Sequence, residues 1–225
     1  MSVGATNRII AAVGLAREAR IAEGQGVLAV IGGGDAAALA EALRHAIAQG
    51  ASGIISFGIA GGLDPALKPG ACIVGSAVRD GQARLVTDPV WSKNLQAKLP
   101  RVIVGDMAGL DWPAASVKQK KLLHSVTGAL AVDMESHVAG RIAAQAGLPF
   151  AILRVVCDPA GRDLPPAALA GMRRDGTTDT GAVLKSLLRN PSQLFALIAL
   201  ANNARAAFSV LKRRRKRAGE SFALN

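Results

Sequence analysis

Tyrosine is absent from the 225-residue chain, and Trp and Phe number only two and five. So few rings leave little to stack on a run of bases. With no basic face built around a groove-entering helix either, a nucleic-acid-binding protein is not expected. Cysteine is nearly as scarce. Cys72 and Cys157 lie far apart in apolar runs, without C-x-x-C or Cys/His spacing. They read as buried, reduced thiols of a cytoplasmic protein, with no metal or redox centre. His45, His124 and His137 share no ligand spacing and read as surface or internally satisfied side chains. The opening MSVGATNRII lacks a charged segment followed by a long apolar stretch, so no secretory signal is expected. The longest late apolar run, Leu194 to Ala201, covers 8 residues, where a membrane span needs about 20. The protein is expected to be soluble or peripheral.

Acidic residues are also in deficit, 16 against 27 Lys and Arg, for a net charge of +11. Six of the positive charges fall in one run, Lys212-Arg213-Arg214-Arg215-Lys216-Arg217, which leaves the rest only mildly basic. The expected organisation is therefore a single domain over 1–211 and a basic C-terminal tail over 212–225. Half of the residues are hydrophobic, many of them Ala, and Gly is abundant. That is enough for one α/β domain with a full core.

The body alternates strand-like and helix-like segments. Short apolar strands are expected at 8–13, 27–31, 53–57, 71–77, 101–104, 130–132 and 149–156. Helices are expected at about 35–49, 115–123, 136–146, 180–188 and 192–211. The first is capped by Asp35 and stopped by Gly50. Such alternation implies a three-layer α/β/α sandwich around a central mixed, mostly parallel sheet. Ligands of such sheets bind at the carboxyl ends of the strands. The residues there are Gly14 to Glu18, Gly32 to Asp35, Gly58 to Gly62, Asp133 to Glu135, and Asp158.

Each candidate has two readings. Asp158 follows a buried strand, so desolvation would raise its pKa and suit it to general-acid work; Asp-Pro is also a common turn opener. Glu135 opens a helix, where a carboxylate is electrostatically favoured, yet its two oxygens also match the two hydroxyls of a ribose. Glu18 stands between Arg17 and Arg20 and, by itself, reads as a solvated ion pair. The Gly32-Gly33-Gly34 turn offers backbone N–H groups to a ligand, but it is neither a P-loop nor a dinucleotide fingerprint.

Taken together, these islands resemble the nucleoside phosphorylase superfamily, and within it the methylthioadenosine/S-adenosylhomocysteine nucleosidase branch. The resemblance covers about residues 8 to 160. It rests on Gly58-Ile59-Ala60-Gly61-Gly62-Leu63 followed by Leu67-Lys68-Pro69-Gly70, on Ala131-Val132-Asp133-Met134-Glu135-Ser136, and on Leu148-Pro149-Phe150 through Arg154-Val155-Val156-Cys157-Asp158. It implies that Asp158 protonates N7 of a purine, Glu135 binds the ribose hydroxyls with Met134 against the sugar, and Glu18 activates the attacking water. Ile59, Gly61, Met107 and Arg154 are implied as further substrate-binding positions, with Gly105 to Gly109 as the base-binding segment.

There are departures from the pattern. Only eight residues separate Glu18 from Val27, where the nucleosidases have a β-hairpin, and Ile59, Phe57 and Cys157 replace small polar residues. The early Gly-Asp-Pro-x-Arg-type phosphate segment of the phosphorylases is absent, although Arg17 and Arg20 lie nearby. The short length, apolar rim and basic C-terminus look like the hopanoid-associated branch, which implies conversion of adenosylhopane to ribosylhopane and adenine. No metal or organic cofactor is implied, only water or inorganic phosphate as co-substrate. The resemblance also implies a homo-oligomer, and the basic tail offers peripheral contact with the inner membrane face. A phosphate-dependent phosphorylase and a non-catalytic nucleoside-binding protein are the alternatives.

Overall fold

A computed structural model describes residues 8–173 and 175–224. The stretch Met1–Asn7, read above as carrying no secretory signal, lies outside the described residues. Eight strands are formed: β1 Ile9–Val13, β2 Val27–Ile31, β3 Gly53–Gly62, β4 Cys72–Asp80, β5 Ala83–Val86, β6 Ile103–Gly109, β7 Ala131–Asp133 and β8 Phe150–Asp158. The helices are α1 Ala16–Ala22, α2 Ala36–Ala48, α3 Pro89–Lys98, α4 Val117–Thr127, α5 Ser136–Ala146, α6 Pro166–Ala170, α7 Thr180–Arg189 and α8 Leu194–Ala218. A 3-10 turn, Pro191–Gln193, joins the last two.

The sheet is mixed and mostly parallel. β1 pairs in parallel with β2 and β3, β3 with β8, and β6 with both β4 and β7. β3–β7, β4–β5 and β4–β8 run antiparallel. One feature goes beyond a simple open sheet. β3, β8, β4, β6 and β7 pair around a closed ring, because the ten-residue β3 pairs with β8 along most of its length and with β7 at its far end.

Alternation along the strands divides the core in two. Ile9, Ala11 and Val13 of β1 and Ala151, Leu153 and Val155 of β8 face Trp91 of α3 and Phe208 and Leu211 of α8. Their neighbours Ile10, Ala12, Ile152 and Val156 face Leu39 and Leu43 of α2 and Val138 and Ile142 of α5. A strand buried on both faces has no polar alternation to offer, and this is why β8 reads as one apolar run.

The last segment differs from the expected tail. The basic run is the final part of α8, and the chain beyond it turns back onto the body. Phe222 is fully buried edge-on to Phe57, with ring centroids 5.1 Å apart. Its carbonyl accepts from Trp91 Nε1 at 2.7 Å. Arg215 lies over the Phe222 ring and donates to the carbonyls of Ala22 and Gly219. The residues from Pro191 to Ala218 are also long and apolar enough to cross a membrane by length and composition, which the 8-residue run alone did not suggest.

Candidate active site

β8 ends with Asp158, and β1, β3 and β7 end alongside it, so four strand ends frame one cavity of about 370 Å³. Glu18, Glu135 and Asp158 all line it, with Met134, Ile59 and Gly61. Sequence reasoning named all six, and the fold brings them together.

Glu18 is buried because it serves its own helix start. Its Oε2 accepts from the backbone N–H of Gly14 and Leu15, each at 2.8 Å. Its Oε1 accepts from Ile59 N–H at 2.7 Å. The solvated-pair reading is thus replaced by a carboxylate that ties β1 to β3. Burial raises its pKa, against the pull of Arg154 and the three N–H donors.

Arg154 lies at the centre of the buried charges. It donates to Glu135 Oε2 at 3.1 Å and to Ser56 Oγ at 2.6 Å. Its Nε lies 3.2 Å from Asp133 Oδ2, an ion-pair contact without hydrogen-bond alignment. Asp133 in turn secures the start of α5, accepting from the N–H of Glu135 and Ser136 and from Ser136 Oγ. One guanidinium therefore faces three carboxylates: Glu18, Glu135 and Asp133. Burial pushes Glu135 up to about 7; Arg154 opposes the shift while Asp133 and Glu18 add to it. Arg154, implied above as a substrate-binding position, is instead buried behind these partners and does not line the cavity.

Two glycines make this crowding possible. A Cβ on Gly14 would come within 2.6 Å of Glu135 Oε1. On Gly58 it would fall 2.6 Å from Arg154 Nη1 and closer still to Glu18. Side chains there would displace the charged groups.

Asp158 has a partner that sequence reasoning missed. Lys120 of α4 is fully buried and ion-paired to its Oδ2. Burial raises the Asp158 pKa, and the Lys120 ammonium draws it back down. Cys157, beside it in the cavity wall, is a buried thiol pushed up to about 12 by desolvation, too weakly acidic to act as a nucleophile.

Met107 requires correction. β6 continues through Gly109, and Met107 packs fully buried in the core with Ile73 and Ala131, away from the cavity. The wall expected there comes from the segment just after β6, where Trp112, Pro113 and Ala114 line the cavity. Leu164, Leu169 and Met172 around α6, with Leu200 and Phe208 of α8, complete an apolar side. Arg17 lies over the Phe208 ring, 4.3 Å from its centroid. Arg17 and Arg20 are exposed, and neither lines the cavity.

A model of the phosphorylase superfamily matches residues 14–189, well over half of the chain. The chain belongs to the phosphorylase superfamily. Among solved structures it is similar to the 5′-methylthioadenosine/S-adenosylhomocysteine nucleosidase of Helicobacter pylori, at 14% identity and a TM-score of 0.62, covering 94% of this chain and 98% of that one. A structure from Borrelia burgdorferi, described as a putative nucleosidase of the same kind bound to adenine, gives 15%, 0.62, 92% and 99%. The futalosine hydrolase of H. pylori gives 14%, 0.62, 94% and 98%. At such identities these likenesses establish a shared fold.

Proposed function

We propose that the protein hydrolyses the N-glycosidic bond of a purine nucleoside carrying a bulky, apolar 5′ substituent, with adenosylhopane, cleaved to ribosylhopane and adenine, as the substrate. The observation that carries this reading is the convergence of Glu18, Glu135 and Asp158 on one largely apolar cavity. The nucleosidases and the futalosine hydrolase of similar fold support the same bond cleavage.

Asp158, whose hold on a proton is strengthened by burial and opposed by Lys120, donates to N7 of the purine as the C1′–N9 bond breaks and its electron pair passes into the base. Glu135 accepts from the ribose hydroxyls, and Met134 packs against the sugar. Water adds to C1′ and gives its proton to Glu18. No cofactor is needed. Hydrolysis is favoured over phosphorolysis because Glu18, Glu135 and Asp158 converge on the cavity, while Arg17 stacks on Phe208, Arg20 is exposed, and Arg173 is the arginine that lines the wall among the described residues. The apolar side formed by Leu164, Leu169, Met172 and Phe208 suits a greasy 5′ group. As the resemblance implies, the chain is proposed to work as a homo-oligomer in the cytoplasm.

The test is incubation with adenosine, methylthioadenosine and adenosylhopane, with and without phosphate, following free adenine. Adenine release without phosphate, fastest from adenosylhopane, is the expected result. Strict dependence on phosphate would turn the reading to a phosphorylase on the same scaffold. Tight binding of an adenosine analogue with no turnover would leave only a nucleoside-binding protein.

A further inference from the structure

The outer face of α8 has no partner among the described residues, and its two halves differ. At 100° per residue, Leu194, Phe195 and Ile198 share one stripe with Arg205, Lys212 and Lys216. All six are exposed, Phe195 at 81%. The stripe is apolar at its N-terminal end and cationic at its C-terminal end. On the adjoining inward face, Leu200, Ala204 and Phe208 line the catalytic cavity, and Leu211 is in the core. One helix thus has the cavity on one side and an unsatisfied amphipathic surface on the other. α7 carries a similar exposed set, with Leu184 and Leu188 beside Lys185 and Arg189. Gln193 ties this region to the cavity wall, accepting from Ala167 N–H on α6 and donating to Ser186 O on α7.

Charge selects the occupant. Thr180 to Gly219 holds nine Lys and Arg and no Asp or Glu, and among the described residues only Arg214 and Arg215 of the nine bond back to backbone carbonyls of the body. A second copy of so cationic a surface is a poor partner, whereas an anionic lipid surface complements both halves: headgroups for the lysines and arginines, the acyl boundary for Phe195 and Ile198. The helix cannot leave the domain to span the bilayer, because Ala207, Phe208, Leu211 and Ala218 are built into the core. We propose that the outer face of α8, with α7, docks the protein on an anionic membrane, so that the cavity behind α8 draws its substrate from the lipid phase. The docking surface stands on these observations, and only the purpose given to it rests on the proposed apolar-substituted nucleoside.

Sedimentation of the full chain with vesicles tests this. Binding is expected to mixed phosphatidylglycerol and phosphatidylcholine vesicles, not to phosphatidylcholine alone, with release at high salt. The double variants Phe195→Asp/Ile198→Asp and Lys212→Glu/Lys216→Glu should each lose roughly tenfold or more in vesicle affinity. The first should keep its turnover of a soluble nucleoside, which also reports an intact fold. No binding to anionic vesicles would overturn the proposal, as would binding that neither double variant weakens. Retention through an alkaline carbonate wash would replace docking with a span. An oligomer that Phe195→Asp/Ile198→Asp dissociates, with vesicle binding intact, would mean that a second copy covers this face. Vesicle binding is read without turnover, so its failure leaves glycosidic cleavage standing, and the failure of cleavage leaves docking standing.

Discussion

Lys120 on α4 is ion-paired to Oδ2 of Asp158, and the same ammonium reaches the carbonyls of Pro159 at 3.2 Å and Arg162 at 2.9 Å. All three of its donors are used, with no exposure to solvent. The pair fixes both the direction of Asp158 and its hold on a proton. Removing the cation makes the ionised form of Asp158 less favourable, so its pKa rises and the protonated form persists to higher pH. For Lys120→Met the alkaline limb of the kcat/KM profile is expected to move upward, while Lys120→Arg keeps it near its original place. Lys120→Met should also destabilise the fold by about 3–5 kcal/mol, the usual range for breaking a buried ion pair. A profile that does not move in Lys120→Met would reduce the contact to scaffolding.

Asp158→Asn removes the proposed proton donor at nearly constant shape. It is expected to lower kcat by roughly 10²–10⁴-fold with little change in circular dichroism. Most of the base release surviving in a folded Asp158→Asn variant would sink the proposed mechanism.

Glu18→Gln should fail in two ways. The three N–H groups it satisfies come from both sides, and a carboxamide must turn its own donor toward one of them. The unsatisfied pair costs about 1–3 kcal/mol, read as a lower denaturation midpoint. Loss of the proposed proton acceptor for water should lower kcat as well, so stability and turnover fall together.

Glu135 ties stability to pH. Its folded pKa of about 7 stands above its ordinary 4.5. A carboxyl raised in the folded state contributes stability that is full below the ordinary value and is lost as pH rises through the folded one. Unliganded protein should therefore lose up to about 3 kcal/mol from this group between pH 4.5 and pH 7. Glu135→Gln should flatten that slope in thermal melts. A slope unchanged in Glu135→Gln would assign it to other groups.

Phe222 is packed against Phe57 and capped by Arg215, so Phe222→Ala should cost about 3–5 kcal/mol although only three residues of the 225 follow it. A free tail would show no change in the melting temperature.

The parts of the site that were legible are those that sit at strand ends. Asp158 and Glu135 follow apolar runs, and Glu18 follows the first strand, so topology alone brought them to one edge of the sheet. Lys120 was hidden because Lys118, Lys120 and Lys121 look alike in a polar helix, and only the fold decides which one turns inward. Trp112 was missed, and Met107 misplaced, because β6 runs five residues beyond the apolar stretch that announced it. The short α1 and α3 lacked enough periodicity to read. The basic run was taken for a tail because charge dominates its composition, yet Phe208, Leu211 and Ala218 keep helical spacing through it and hold α8 to the core.

β8 carries both Arg154 and Asp158, with a shift in its register against β3 at Cys157 between them. Four residues of extended chain span at most roughly 13 Å, so the spacing between the proposed sugar-side charge cluster and the proposed proton donor is held within one strand. The apolar wall comes instead from α6, the segment before α7 and α8, none of which belongs to that strand. In the proposed reading, changes to that wall would alter the fit of the 5′ group without moving Arg154 relative to Asp158.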